Sequence, residues 1–261
     1  MANFYVACWT MSEQAFGGTT AKARAADLTN VALAADTQLK IMGRAAGGAF
    51  TRMLVVPEYF FTDAGALVSR SDKHSIYRKL QQISAQVPDL LIIAGTIAYG
   101  KGLFSKDTYN VCPALMGGQI IKKLYKSNND GVYQVNGTFT TKNDNGKGVP
   151  LLTVNGISIG LDICMDYNDD RLGTHLQATG APAPDIHVQI SGTNAMGTPS
   201  AKARVNGVYI HCDLGGKGAN GATAWRITAQ NGAMGAATTR IQPTLTLQPG
   251  IGRIMFFDSS V

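Results

Sequence analysis

Glutamate is nearly missing from this chain. Its 17 acidic residues divide into 15 aspartates and only two glutamates, Glu13 and Glu58, although glutamate is normally among the commoner residues. Any task that needs the longer carboxylate therefore falls on one of two positions. Paired cysteines are also lacking. Cys8, Cys112, Cys164 and Cys212 lie far apart with no C-x-x-C, which excludes a zinc ribbon, a thioredoxin motif and a small disulfide scaffold. In a reducing compartment all four are expected to be thiols. No apolar run approaches the roughly 18 residues of a membrane helix, and the first residues carry no basic, signal-like segment. The expectation is a soluble, cytoplasmic protein with no membrane partner.

Charge is scarce as well. Charged residues make up 15% of the chain and hydrophobic ones 45%, the reverse of a disordered composition. At 261 residues the chain is long enough to bury a large share of its surface without staples. The net charge of +6 raises the question of nucleic acid. The basic residues are scattered, however, and the densest group, Lys122, Lys123 and Lys126, sits in an apolar strand pattern. An anionic substrate or plain solubility explains the charge better than nucleic acid does.

What is present alternates between two kinds of segment. Residues 4–9 and 53–57 are short apolar runs, the second of the type buried on both faces of a parallel sheet. Between them, residues 20–42 carry Ala25, Leu28, Val31, Ala35, Leu39 and Met42 at helical spacing. Ser71 is placed to cap a second helix with the stripe Ile76, Leu80 and Ile83. Residues 90–97 read as one buried strand. Two hairpins follow, 109–116 with 120–125 around Gly117-Gly118, and 151–154 with 157–163 around Asn155-Gly156. The stretch 127–147, rich in Asn, Asp, Gly and Lys, reads as a surface excursion. A helix over 169–178 and strands at 186–190, 208–212 and on to 257 complete the pattern. No linker or repeat divides it, so one α/β domain with mixed sheets is expected over residues 1–261.

Three strand ends carry the chemistry. Glu58 follows the buried run Val55-Val56-Pro57. Lys126 ends the hairpin strand that begins after Gly118. Cys164 ends the strand Gly160-Leu161-Asp162-Ile163, just before a helix. Ligand sites in α/β sheets form at the carboxyl ends of strands, and backbone N–H groups at a strand-to-helix junction stabilise a thiolate. Strand alternation puts residues 122, 124 and 126 on one face and 123 and 125 on the other. His187 and His211 alternate with apolar residues and read as sheet-face histidines, not as partners of Cys164. Cys8, Cys112 and Cys212 read as core thiols.

In order, Val56-Pro57-Glu58-Tyr59-Phe60, Tyr109-Asn110-Val111, Gly118 through Lys126, and Gly160 through Cys164-Met165-Asp166 resemble the motifs of the nitrilase superfamily of carbon–nitrogen hydrolases. The resemblance implies a four-layer α-β-β-α sandwich and a homodimer. It also implies a thiol-dependent hydrolase of a small amide or nitrile, with no metal or organic cofactor. Cys164 would be the nucleophile, Glu58 the base and Lys126 the oxyanion stabiliser, with the Met165 N–H as second donor. Tyr59, Asp130, Tyr133 and Asn194 are candidate substrate contacts. Two features depart from the family pattern. No glutamate follows Glu58, so the family's second glutamate has no counterpart, and the Arg-Phe-Pro-Glu continuation after the cysteine motif is missing. An acyltransferase using the same thioester, or a non-catalytic binding protein of the same fold, remain the alternatives.

Overall fold

The computed structural model describes residues 3–12, 17–46, 50–62, 67–100, 108–128, 148–192, 201–214, 221–230, 236–248 and 252–258. Strand β1 (Asn3–Thr10) shows how the chain is sorted between layers. Its side chains alternate: Phe4, Val6 and Cys8 face one hydrophobic cluster, and Tyr5, Ala7 and Trp9 face another. The pleat alone produces this division.

Helix α1 (Ala21–Ala46) follows, opened by the Thr20 hydroxyl, which accepts the Ala23 N–H at 3.2 Å. Ala25, Leu28, Val31, Ala35 and Leu39 are buried and Met42 is half-buried, as their spacing predicts. After β2 (Phe50–Val56) comes α2 (Arg70–Gln86), whose cap differs from the expectation. Ser69, not Ser71, accepts the Asp72 N–H. Both serines precede the apolar stripe, and only the bond geometry separates them.

The expected single strand at 90–97 is also corrected. It is two strands, β3 (Leu90–Ala94) and β4 (Ile97–Gly100). Gly95 stands between them with φ +71°, and a Cβ there would lie 2.3 Å from the Pro57 carbonyl oxygen. That positive φ is cheap only for glycine, and it bends the chain out of the ladder. The hairpins form as expected: β5 (Thr108–Met116) with β6 (Gln119–Tyr125), and β7 (Leu151–Val154) with β8 (Ile157–Ile163). Asn155 and Gly156 both have positive φ, the signature of the favoured two-residue turn. The helix expected at 169–178 is two pieces, α3 (Met165–Asn168) and α4 (Arg171–Thr179). The chain closes with β9 (Ile186–Ser191), β10 (Val208–Asp213), β11 (Ala222–Gln230), β12 (Ala236–Ile241), β13 (Leu245–Leu247) and β14 (Arg253–Asp258).

Eight strands form one mixed sheet in the order β13-β14-β1-β2-β3-β5-β4, with β6 on β5, and six form a second in the order β12-β11-β10-β9-β8-β7. In both, parallel strands lie at the centre: β1, β2 and β3 in the first, β8, β9 and β10 in the second. The inner faces meet in one apolar cluster that joins Val6, Met53, Val55, Leu91 and Ile93 to Ile159, Leu161, Val188, Ile190 and Ile210. Each such side chain contributes about 1.5–3 kcal/mol on burial. Helices α1 and α2 cover the outer face of the first sheet. Tyr167 of α3 and residues 201 and 203 pack on the outer face of the second. The result is the expected α-β-β-α sandwich, and its parallel strands deliver the ends of β2 and β8 to one edge. No helix is long and apolar enough to cross a membrane among the described residues.

Candidate active site

Glu58 leaves β2 into a turn that is fastened from several sides. The Tyr59 N–H donates to the Thr96 hydroxyl at 2.7 Å, and the Phe61 N–H to the Thr96 carbonyl at 3.2 Å. Arg24, fully buried on α1, donates to the carbonyls of Phe60 at 2.6 Å and Thr62 at 2.9 Å. Tyr59 has φ +58°, a conformation uncommon for a bulky residue. These bonds hold the strained turn in place.

Lys126 continues the ladder one residue past β6, its N–H donating to the Asn110 carbonyl at 2.8 Å. It shares the face of Leu124, which lies in the inter-sheet core, whereas Lys123 turns the other way onto the Tyr77 ring at 4.4 Å. The Lys126 ammonium meets the Glu58 carboxylate at 2.7 Å, and both side chains have 0% exposure. Asn110 Nδ2 donates to the same Glu58 Oε1 at 2.8 Å. The ammonium also lies 5.4 Å from the centre of the Tyr59 ring, so Tyr59 stands beside both charges. Removing two ions from water costs several kcal/mol per ion, and a buried pair is weak evidence for stability.

Cys164 sits between β8 and α3 with φ +50° and ψ −110°, far from the ordinary wells of an L-residue. Such strain persists only where the surroundings over-determine it, and it clusters at functional sites. The Cys164 N–H donates to the Ile190 carbonyl at 2.8 Å. Met165 opens α3, so its N–H is one of the first-turn donors that have no acceptor within the helix. Two ties connect this elbow to the Glu58–Lys126 pair. Two residues beyond Ile190, Gly192 lies against them: a Cβ there would stand 3.1 Å from the Tyr59 ring and 3.7 Å from Glu58 Oε2. Two residues beyond Cys164, the Asp166 carboxylate accepts the N–H of Ser127, Lys126's neighbour, at 2.9 Å. Glu58, Lys126 and Tyr59 are thus in direct association, with Cys164 and Met165 fastened to them from the other sheet. Asp130, Tyr133 and Asn194 lie outside the described residues.

The other three cysteines and the two strand histidines have different surroundings. Cys8, Cys112 and Cys212 are free, buried thiols, and burial pushes the Cys112 and Cys212 thiols up. His187 Nε2 meets Asp162 at 3.0 Å while its Nδ1 accepts the Lys202 N–H at 3.1 Å. His211 meets the Ser191 hydroxyl at 2.7 Å, and burial lowers its pKa to about 4. Both histidines are on the outer face of the second sheet. Among the described residues, no group of three or more His, Cys, Asp or Glu is placed to hold a metal ion.

Sequence reasoning gave no role to Asn110, Arg24, Asp166 or Arg171. A polar residue inside a strand as buried as β5 was the available signal for Asn110. Arg24 reaches its acceptors across 36 and 38 residues, which no local pattern reveals.

No family model matches the chain, and no curated protein matches it. Solved structures do. A mutant of the Nesterenkonia AN1 amidase from the nitrilase superfamily is 13% identical, with 98% of this chain and 90% of that chain covered, at a TM-score of 0.59. Another structure of that amidase shows covalent addition of the acetamide moiety of fluoroacetamide at the active site cysteine. Saccharomyces cerevisiae Nit3, a member of branch 10 of the superfamily, is 13% identical over 99% of this chain and 90% of its own, at 0.57. The glutamine-dependent NAD+ synthetase from Acinetobacter baumannii is 15% identical over 92% of this chain and 41% of its own, at 0.55. With 98% of the chain superposed on such a protein, two face-to-face mixed sheets at its centre and helices outside, the chain has the nitrilase-superfamily fold.

Proposed function

We propose that this protein is a thiol-dependent carbon–nitrogen hydrolase acting on a small amide, with Cys164, Glu58 and Lys126 as its catalytic residues. One observation carries the reading. A lysine and one of only two glutamates form a fully buried ion pair, and the backbone next to that lysine is tied to the strained strand-to-helix elbow that holds a cysteine. Packing has no use for that arrangement, and acyl transfer does.

In the first half-reaction Glu58 takes the thiol proton and the sulfur attacks the amide carbon. Negative charge then gathers on the substrate oxygen, where the Lys126 ammonium and the Met165 N–H stabilise it. Collapse breaks the C–N bond, and Glu58 returns its proton to the departing amine. The thioester left on Cys164 is cleaved by water, whose proton passes to Glu58 before the thiol is reformed. With a nitrile the sulfur would add to the carbon and the nitrogen would take the proton from Glu58, giving a thioimidate. Ammonia would leave only after water has added to it, and the thioester then remaining would be hydrolysed as before. The Lys126 charge also favours the thiolate. Tyr59, with its ring beside the ammonium, is the proposed contact for the acyl side of the substrate. The solved amidases of this fold support amide over nitrile.

Intact-mass spectrometry after incubation with a panel of amides, nitriles and fluoroacetamide tests this. An adduct that maps to Cys164, with ammonia or amine released, is expected, and Cys164→Ala abolishes both. Labelling confined to Cys8, Cys112 or Cys212 would sink the proposal. Product analysis with added amine separates hydrolysis from acyl transfer.

A further inference from the structure

Lys126 acts through a single nitrogen at the end of four methylenes, so its placing depends on what holds its own stretch of backbone. That backbone is gripped on both sides. Ahead of it, Arg171 Nη1 donates to the Tyr125 carbonyl at 2.6 Å. Behind it, the Asp166 carboxylate accepts the Ser127 N–H at 2.9 and 3.1 Å and the Asn128 N–H at 3.0 Å. The two gripping side chains are themselves paired, with Arg171 Nη1 2.7 Å from Asp166 Oδ2. Asp166 has 0% exposure and Arg171 13%.

The grip of this pair on the Lys126 backbone joins the two sheets. Lys126 comes from the eight-stranded sheet, while Asp166 lies two residues after Cys164, at the end of the six-stranded one. Arg171, in the first turn of α4, also donates through Nη2 to the Gly148 carbonyl at 2.8 Å. Asn128 and Gly148 are therefore drawn to the same point, although 20 positions of sequence separate them. Three carbonyl or carboxylate acceptors around one guanidinium match the fork of arginine and exceed what a lysine ammonium can reach in fixed directions.

We infer that Asp166 and Arg171 are positioning residues for the proposed reaction: together they hold Lys126 at its working distance from Glu58 and Cys164 without touching substrate. This rests on the role given to Lys126 above. The pair ties the lysine backbone to the cysteine's own helix, so loss of either partner lets the ammonium drift relative to the thiol. A misplacement of about 1 Å in such a group can cost about 100-fold in rate.

The test compares Arg171→Ala, Arg171→Lys and Asp166→Asn with the wild type in two assays. The first is the rate of Cys164 alkylation by iodoacetamide, which needs no turnover. The second is kcat and KM on the best amide of the panel. Alkylation slowed about tenfold in Arg171→Ala is expected, since one unit of lost thiolate stabilisation is a tenfold change. We also expect kcat lowered about 10- to 100-fold with KM within about threefold, and Arg171→Lys in between. Asp166→Asn keeps the volume of the side chain and removes its charge, so it decides the matter if the alanine variant does not fold. Wild-type alkylation and kcat in folded Arg171→Lys and Asp166→Asn overturn the inference. If no amide is turned over by the wild type yet alkylation slows in the variants, the hydrolase reading fails and the positioning stands.

Discussion

Over the eight-stranded sheet, Tyr5, Ala7, Trp9, Leu54 and Val56 point at two helices of 26 and 17 residues. Over the six-stranded sheet, Asp162, His187, Gln189, Ser191, His211 and Asp213 occupy the equivalent outward positions and are just as buried. The first face is held by area. The second is held by pairing: Asp162 with His187, Tyr209 with Gln189, and Ser191 with both His211 and Asp213. Tyr167, Tyr209 and Trp225 stack among these polar groups at 5.4 and 5.5 Å between rings. Apolar packing depends on volume, whereas a buried polar network depends on every member being satisfied. The two sides of one sandwich should therefore fail differently.

The sharpest contrast pairs two tryptophans. Trp9→Ala empties a fully buried site against Phe60, 4.4 Å away between rings, and is expected to cost about 3–5 kcal/mol. Trp225→Ala, under thinner cover, should cost at least about 1 kcal/mol less by the same cavity reasoning. Urea midpoints of the two variants decide it, and equal losses would erase the distinction between the faces.

A second test uses acid. Burial lowers the folded pKa of His211 to about 4 from 6.5, so the unfolded chain takes up that proton first. The stability involved is intact above pH 6.5 and is lost as pH falls toward 4. Burial has the opposite effect on Asp166, raising it from 3.8 to about 6 against the pull of Arg171. That contribution is full below pH 3.8 and is lost as pH rises through 6. Each amounts to about 3 kcal/mol across its window, and between pH 6 and 4 they oppose one another. Relative to wild type, His211→Gln should gain stability on acidification from pH 6.5 to 4, and Asp166→Asn should lose it. Denaturation at four pH values checks this; parallel curves for all three proteins would show that neither group titrates as its burial requires.

The smallest effect concerns how the helical layers begin. Ser69 caps α2 through the Asp72 N–H at 3.1 Å, and Ser69→Ala is expected to cost about 1 kcal/mol. Asp170 precedes α4 in a left-handed conformation with no side-chain cap bond. Asp170→Gly should therefore change stability by only a few tenths of a kcal/mol, since glycine adopts that conformation freely. A larger loss at Asp170 in thermal melts would mean that the thin side depends on its caps as much as the thick one.

The same contrast explains what could be read from the chain. The stripe on α1 and the alternation in β1 report burial directly, because apolar residues repeat with the period of the element that carries them. The hairpins were legible from their turns. The Ser69 cap and the break at Gly95 were not, since one depends on a single bond and the other on the approach of Pro57. At the site, Glu58, Lys126 and Cys164 stand out as chemistry at strand ends. Arg24 and Arg171 act through backbone carbonyls tens of residues away and carry no mark of their own, whereas Asn110 and Asp166 stand inside the quoted motifs, which do not say what they bond to. The polar outer face was legible only as two histidines in strands, because the pairing of Asp162 with His187 belongs to the fold and not to either segment.

The conformation of Cys164 has a consequence for how this protein could change. At φ +50° and ψ −110° a side chain is held at a cost of about 1–3 kcal/mol, and a glycine would escape most of it. Thermal hardiness and the thiol thus pull position 164 in opposite directions. A library selected only for heat resistance is free to discard the cysteine and keep the sandwich, whereas one screened for turnover is not. The elbow is where a hardier descendant of this fold would most readily become a silent one.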